Sequence, residues 1–211
     1  MAVKPIIFST PMVLALLAGR KTQTRRLLSK DQQAATKVWA DEFPSGKVGW
    51  FCDVKHQYGK RQAIRPAIFP GDKLYVREAH AFVGSFDPQL FITRADYPRC
   101  VPSHFENVPQ DPADVKWRPS IHMPRENSRM FLIIREMRVQ RLQDISREDC
   151  AAEGHQPLSW ISEDPEVHLD AARDWFMDLW DSLHGKPGER WADNPWIYAL
   201  SFDVFRGNID E

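Results

Sequence analysis

The longest unbroken strand pattern in this chain is MFLIIREMRVQRL, Met130 to Leu142. It is rich in apolar residues, carries β-branched ones and contains no glycine or proline, so it predicts a long strand. A second run, WIYALSFDVF from Trp196 to Phe205, predicts a closing strand near the end of the chain. Shorter candidates are GKVGWFCDV, KLYVREAHAF after the Pro70-Gly71-Asp72 turn, and QLFITRAD. A chain with these strands must bury them in a sheet.

Helices are fewer. Thr10-Pro11 reads as a cap followed by proline in the first turn, and MVLALLA continues that helix to Gly19, which suits a left-handed C-terminal position. Ser146 with Asp149 three residues on resembles a capping box before a short helix closed by Gly154. Pro165 to Leu183 predicts a longer helix with Val167, Ala171, Trp175, Leu179 and Leu183 on its apolar stripe and Gly185 at its end. Residues 29–69 read as irregular, and Tyr97 to Asn127 as a polar, proline-rich loop. Several long strands with two short helices and one longer one suggest an α+β fold: a twisted β-barrel with short helices covering it and long loop insertions.

The 211 residues suffice for one domain, or one with a large insertion. No apolar run approaches the roughly 20 residues needed to cross a bilayer, and MAVKPIIFSTPM lacks a signal-peptide run, so no membrane is expected as a partner. Cys52, Cys100 and Cys150 are odd in number and far apart, unlike a disulfide framework or a paired zinc spacing; a cytoplasmic location is the expectation. His56, His80, His104, His122, His155, His168 and His184 are equally scattered. Neither a metal nor another cofactor is expected. The net charge of −1 conceals an uneven distribution. Residues 20–26 hold four cations and no anion, whereas Asp144 to Asp178 hold ten carboxylates against Arg147 and Arg173. A basic side could bind a polyanion, although charge alone equally fits an ordinary mixed surface.

Certain stretches carry a family resemblance. AGRKTQTRR after the first helix, GDKLYVRE, the strand entering LQDISREDCAAEG, and the terminal NPWIYALSFDVF together resemble the ASCH (activating signal cointegrator homology) family, which is related to PUA-like RNA-binding barrels. The WRPSIHMPRENSR loop and the WDSLHG and NPW stretches resemble members from phages and prophages of bacteria. The resemblance covers roughly residues 1 to 28, 68 to 80 and 117 to 206. It implies a PUA-like β-barrel as a single domain over residues 1–206, with insertions at 29–67 and 81–129 and a flexible tail at 207–211. The family motif G-x-K-x-x-E-x-R meets Gly19, Lys21 and Arg26 here, with Thr24 in the glutamate position. Threonine there resembles a branch that hydrolyses the amide of acetylated cytidine nucleosides, which places the catalytic roles on Lys21, Thr24 and Glu153.

Two chemistries and one interaction role follow from these residues. Binding of single-stranded RNA or another nucleic acid would use Lys21, Arg25, Arg26, Arg77, Arg125 and Arg129 on phosphates and Trp117 as a stacking face, with ribonuclease action as an extension implied by the resemblance. Removal of an acetyl group from a modified cytidine would use a desolvated Lys21 to activate Thr24 or a water, with Glu153 on the base edge or the leaving amine. A phage-derived protein-interaction module is the third reading. Against all of them stands a plain alternative: Arg20 and Lys21 are cations after a helix C-terminus, where the helix dipole favours them. Trp180, Trp191 and Trp196 are expected in the core, Cys150 buried and inert, and Glu78 in a salt bridge with a neighbouring strand.

Overall fold

The structure is a computed structural model and describes residues 2–53, 60–65, 67–85, 89–157 and 164–211. His56 and Val54, the last residue of the GKVGWFCDV strand, lie outside them. In chain order the elements are β1 (Val3–Ile7), α1 (Thr10–Leu17), β2 (Gln23–Leu27), α2 (Lys30–Gln33), β3 (Val38–Glu42), β4 (Val48–Asp53) and β5 (Arg61–Ala63). Then come β6 (Lys73–Arg77), β7 (His80–Val83), β8 (Leu90–Thr93), β9 (Met130–Arg141), α3 (Arg147–Ala152), α4 (Pro165–Leu183) and β10 (Trp196–Arg206).

The expected barrel is not formed. Among the described residues one sheet has the order β1-β6-β9-β10-β2 and ends in two edges, while β3-β4-β5 and β7-β8 form separate sheets. The architecture is mixed α+β with open sheets. The physical reason lies in local pairing: β3 joins β4, β4 joins β5, and β7 joins β8, all antiparallel to a neighbour in sequence. Short connections close at low entropic cost, and these strands satisfy one another instead of completing a ring.

The chain divides into two compact units. One comprises residues 1–18, 73–132 and 204–211. In it β1 runs parallel to β6, from Val3 opposite Lys73 to Ile7 opposite Arg77. Ala81, Val83, Ile92 and Val115 form a small core around the β7–β8 hairpin. The run KLYVREAHAF, expected as one strand, breaks after Arg77, because β6 pairs with β1 whereas β7 pairs with β8. Glu78, at the break, accepts two hydrogen bonds from the Arg129 guanidinium at 2.7 and 2.9 Å, the ion pair expected for it. The tail expected over residues 207–211 makes hydrogen bonds to the loop before β9. Gly207 N–H donates to Arg129 O, the Asn208 amide donates to the carbonyls of Glu126 and Ser128, and Asp210 pairs with Arg125.

The other unit comprises residues 19–72 and 133–203. Its first core packs Leu142, Ile145 and Cys150 against Ala172, Phe176 and Trp180 of α4 and Ile197 and Ala199 of β10. A second joins Leu28, Ala35, Cys52, Ile64 and Val139. Of the strands between residues 38 and 63, β4 follows the GKVGWFCDV candidate up to Asp53, whereas β3 and β5 lie in the stretch read as irregular. Only a few of their side chains reach this second core, and Val48 is 65% exposed. The indole N–H groups of Trp50 and Trp196 donate to Met137 O and Ala35 O, both at 2.8 Å, anchoring the two sides of this core.

The long helix spans Pro165–Leu183 as expected, but its buried face is rotated from the expected stripe. Ala172, Phe176 and Trp180 are buried, while Val167 and Leu183 are exposed. Both series repeat every four residues, so spacing alone does not choose between them. Packing against Ile197 and Ala199 does. Truncating Phe176 to alanine should cost about 3–5 kcal/mol of unfolding free energy, whereas Leu183→Ala should stay within about 0.5 kcal/mol. Urea unfolding of the two variants checks this; equal losses would contradict the rotated face.

Candidate functional site

The site grows from two short pieces of backbone. After α1, Gly19 adopts φ +71°, the left-handed turn that a Cβ would strain, and releases the chain toward β2. Lys21 forms an isolated antiparallel bridge with Glu153, and Thr22 N–H donates to Ala152 O at 2.9 Å. Gln23–Leu27 is a strand, antiparallel to β10 with Arg25 opposite Ala199 and Thr24 opposite Leu200. Side chains in a strand alternate, so Gln23 and Arg25 share one face and Thr24 and Arg26 the other.

On the helical side, Ser146 caps α3 by accepting from Asp149 N–H at 3.1 Å. The Asp149 carboxylate is drawn away from a capping box and into β2. Asp149 and Glu153 are four residues apart, which brings both to one side of the helix end. Gly154 follows at φ +115° and closes the helix.

These two surfaces meet in a network of alternating charge. Lys21 Nζ donates to Glu153 Oε2 and to the Glu153 carbonyl, both at 2.7 Å. Arg25 donates through Nη1 to Glu153 Oε1 at 3.0 Å and through Nη2 to Asp149 Oδ2 at 2.7 Å. Gln23 Nε2 donates to Asp149 Oδ1 at 2.7 Å, and Arg138 Nη2 to Asp149 Oδ2 at 2.9 Å. Lys21, Arg25 and Glu153 are 1%, 2% and 4% exposed. Burial of this kind is costly for charges unless each finds a partner. Burial drives the Lys21 ammonium below its ordinary range; Glu153 opposes this, and Arg26 and Arg25 add to the lowering. For Asp149, burial acts upward, but Gln23, Arg25 and Arg138 outweigh it and hold the carboxyl below the usual range. Burial pushes the Cys150 thiol up to about 11, which suits an inert core cysteine.

Thr24 is fully buried. Its Oγ1 accepts from Arg26 Nη1 at 2.7 Å, and the same nitrogen donates to Arg25 O at 2.8 Å. Lys21, Thr24, Arg25, Arg26, Glu153 and Gly19 thus belong to one unit. Arg77, Trp117, Arg125 and Arg129 belong to the other. There, Arg77 donates to Ile121 O at 3.0 Å and Tyr75 Oη at 3.1 Å, Arg125 pairs with Asp210, and Arg129 pairs with Glu78 and Asp96. Trp117 packs edge-on against Tyr97 at 5.6 Å, and its indole N–H donates to Pro112 O. Four of the six expected phosphate-binding cations therefore face carboxylates of this chain. Gln23, Asp149 and Arg138 were missed in sequence. The signals were present: a four-residue carboxylate spacing on a helix opposite alternate positions of a strand. Among the described residues no three His, Cys, Asp or Glu side chains gather to hold a metal ion. No described helix is long and apolar enough to cross a membrane.

Removing one partner of the buried network should be costly. Glu153→Ala should lower stability by about 3–5 kcal/mol, because two buried cations lose their carboxylate. Adding Lys21→Met should recover part of that loss in urea unfolding; additive losses would show that the pair is not coupled. Acid should weaken the network as well. The native Asp149 carboxyl binds a proton less readily than the unfolded one, so its contribution is present above the unfolded pKa of roughly 4 and is lost as pH falls through the lower native value. Asp149→Asn should flatten the fall in unfolding free energy below about pH 4, measured by denaturation across pH.

Neither a protein-family model nor a curated protein matches this chain. A solved structure, the ASCH domain from Lactobacillus crispatus JV V101, is similar over 96% of this chain and 79% of that one, at 13% identity and a TM-score of 0.36.

Proposed function

We propose that this chain is a hydrolase acting on an acyl-amide nucleoside such as acetylated cytidine, with Lys21 as its base, Glu153 holding that base and Thr24 positioning Arg26. The observation that supports it most is the buried Lys21–Glu153 pair at 2.7 Å, in surroundings that lower the affinity of the lysine for its proton. A lysine whose proton is easier to lose is better suited to act as a general base. The resemblance of GRKTQT to the acetylcytidine-hydrolysing branch points to the same three residues.

In this reading deprotonated Lys21 takes a proton from a water as the water oxygen bonds to the amide carbonyl carbon. The C–N bond then breaks, the lysine proton passes to the leaving nitrogen, and acetate is released. Thr24 Oγ1 would hold Arg26, which would stabilise the negative charge on the carbonyl oxygen. Glu153 would hold Lys21 in place and assist its proton exchange. Lys21 and Thr24 are shielded in this structure, so substrate has to displace neighbouring side chains to reach them.

Nucleic-acid binding, with or without ribonuclease action, draws on Lys21, Arg25 and Arg26 in one unit and on Arg77, Arg125 and Arg129 in the other, but ion pairing within the chain reduces the charge available for phosphate. Incubation with acetylated cytidine, read by chromatography of cytidine and acetate, should show turnover. Lys21→Ala and Thr24→Val should each lower kcat by about 100-fold or more while circular dichroism stays native. No product at high enzyme concentration would sink the proposal, and retention of single-stranded RNA that weakens with salt would favour the binding reading instead.

A further inference from the structure

The unit of residues 1–18, 73–132 and 204–211 contains a cavity of about 560 Å³ that takes no part in the proposed chemistry. Its chemistry is uneven. One side is apolar and built from the last turns of α1, where Leu14 is 38% exposed and Leu17 is half-buried. The lining also holds three arginines and one aspartate: Arg99, Arg129, Arg206 and Asp96.

The charged groups are not equivalent. Arg129 spends Nε and Nη2 on Glu78 and Nη1 on Asp96, so it is a fixed part of the wall, and it answers the Asp96 charge. Arg206 donates through Nη2 to Leu17 O at 2.9 Å, which holds the guanidinium beside the helix end and leaves its other donors uncommitted. Arg99 has no hydrogen-bond or ion-pair partner among the described residues and is exposed. Two guanidinium groups with spare donors thus face a cavity whose one lining carboxylate is already paired. Planar guanidinium forks match carboxylate and phosphate oxygens. The apolar wall suits the body of a small molecule.

We propose that this cavity binds a small organic oxyanion, a carboxylate or phosphate carried on an apolar body, with Arg99 and Arg206 on the anionic group and Leu14 and Leu17 against the body. Cys100 lines the same cavity and supplies a reporter. It is half-exposed, whereas Cys52 and Cys150 are 1% and 0% exposed. A bound ligand should therefore slow alkylation of Cys100 in particular.

The test follows iodoacetamide alkylation of the whole protein by intact mass, with peptide mapping to Cys100. Phenyl phosphate, benzoate and neutral benzyl alcohol are the probes. At ten times its Kd, an oxyanion probe should slow Cys100 alkylation by about tenfold, and comparing phenyl phosphate with benzoate identifies the preferred group. Arg99→Gln, an exposed substitution with no partner to lose, should weaken that protection by about tenfold. Arg206→Gln should do likewise and serves as a second variant. Protection by neither anion, equal protection by benzyl alcohol, or unchanged protection in Arg99→Gln would overturn the site. This outcome is independent of turnover on acetylated cytidine, because no residue is shared.

Discussion

The Glu153 carboxylate accepts Lys21 on one oxygen and Arg25 on the other, and the order of its unit turns on this arrangement. Lys21 comes from the segment entering β2 and Arg25 from β2 itself, and the acceptor comes from the end of α3. A buried carboxylate with one cation removed leaves an unpaired charge, so the segment cannot drift without large cost. The helix end and the strand are thereby held in register. Asp149 extends the arrangement to Gln23 and Arg138, so three elements of the unit share one polar centre inside an otherwise apolar core.

The same arrangement that orders the unit also makes Lys21 chemically unusual. An ammonium taken out of water is easier to deprotonate, and a neighbouring carboxylate counters that tendency. The balance keeps the lysine anchored while making its proton easier to lose. A structural ion pair and a reactive centre can therefore be built from the same atoms, and stability alone does not separate the two roles. The Arg129 fork onto Glu78 in the other unit is a contrast: a guanidinium stays charged, so that pair offers anchoring without a base.

Strand alternation reshapes the site inferred from residue order. In residue order alone Lys21 and Thr24 are close. As a strand, β2 sends Arg25 toward α3 and Thr24 toward the opposite face, where Arg26 holds its hydroxyl. Arg77, Arg125 and Arg129 looked like a phosphate-binding set because each is a cation in a polar stretch. Arg125 and Arg129 are committed to carboxylates distant in sequence, and Arg77 to Ile121 O and Tyr75 Oη. No local pattern announces such partners.

What the chain determines by itself is local: the two long strands, the span of α4, the positive-φ turns at Gly19 and Gly154, the cap at Ser146 and the proline in the first turn of α1. Each rests on contacts within a few residues, where propensity, capping and steric limits act directly. The face that α4 buries, the open sheets in place of a barrel and the strands β3 and β5 were decided by tertiary structure. So were the burial of Glu153 and its partnership with Lys21, 132 residues away in sequence. Those outcomes depend on which distant surface excludes water from a given side chain, and a periodic pattern carries no information about the identity of that surface.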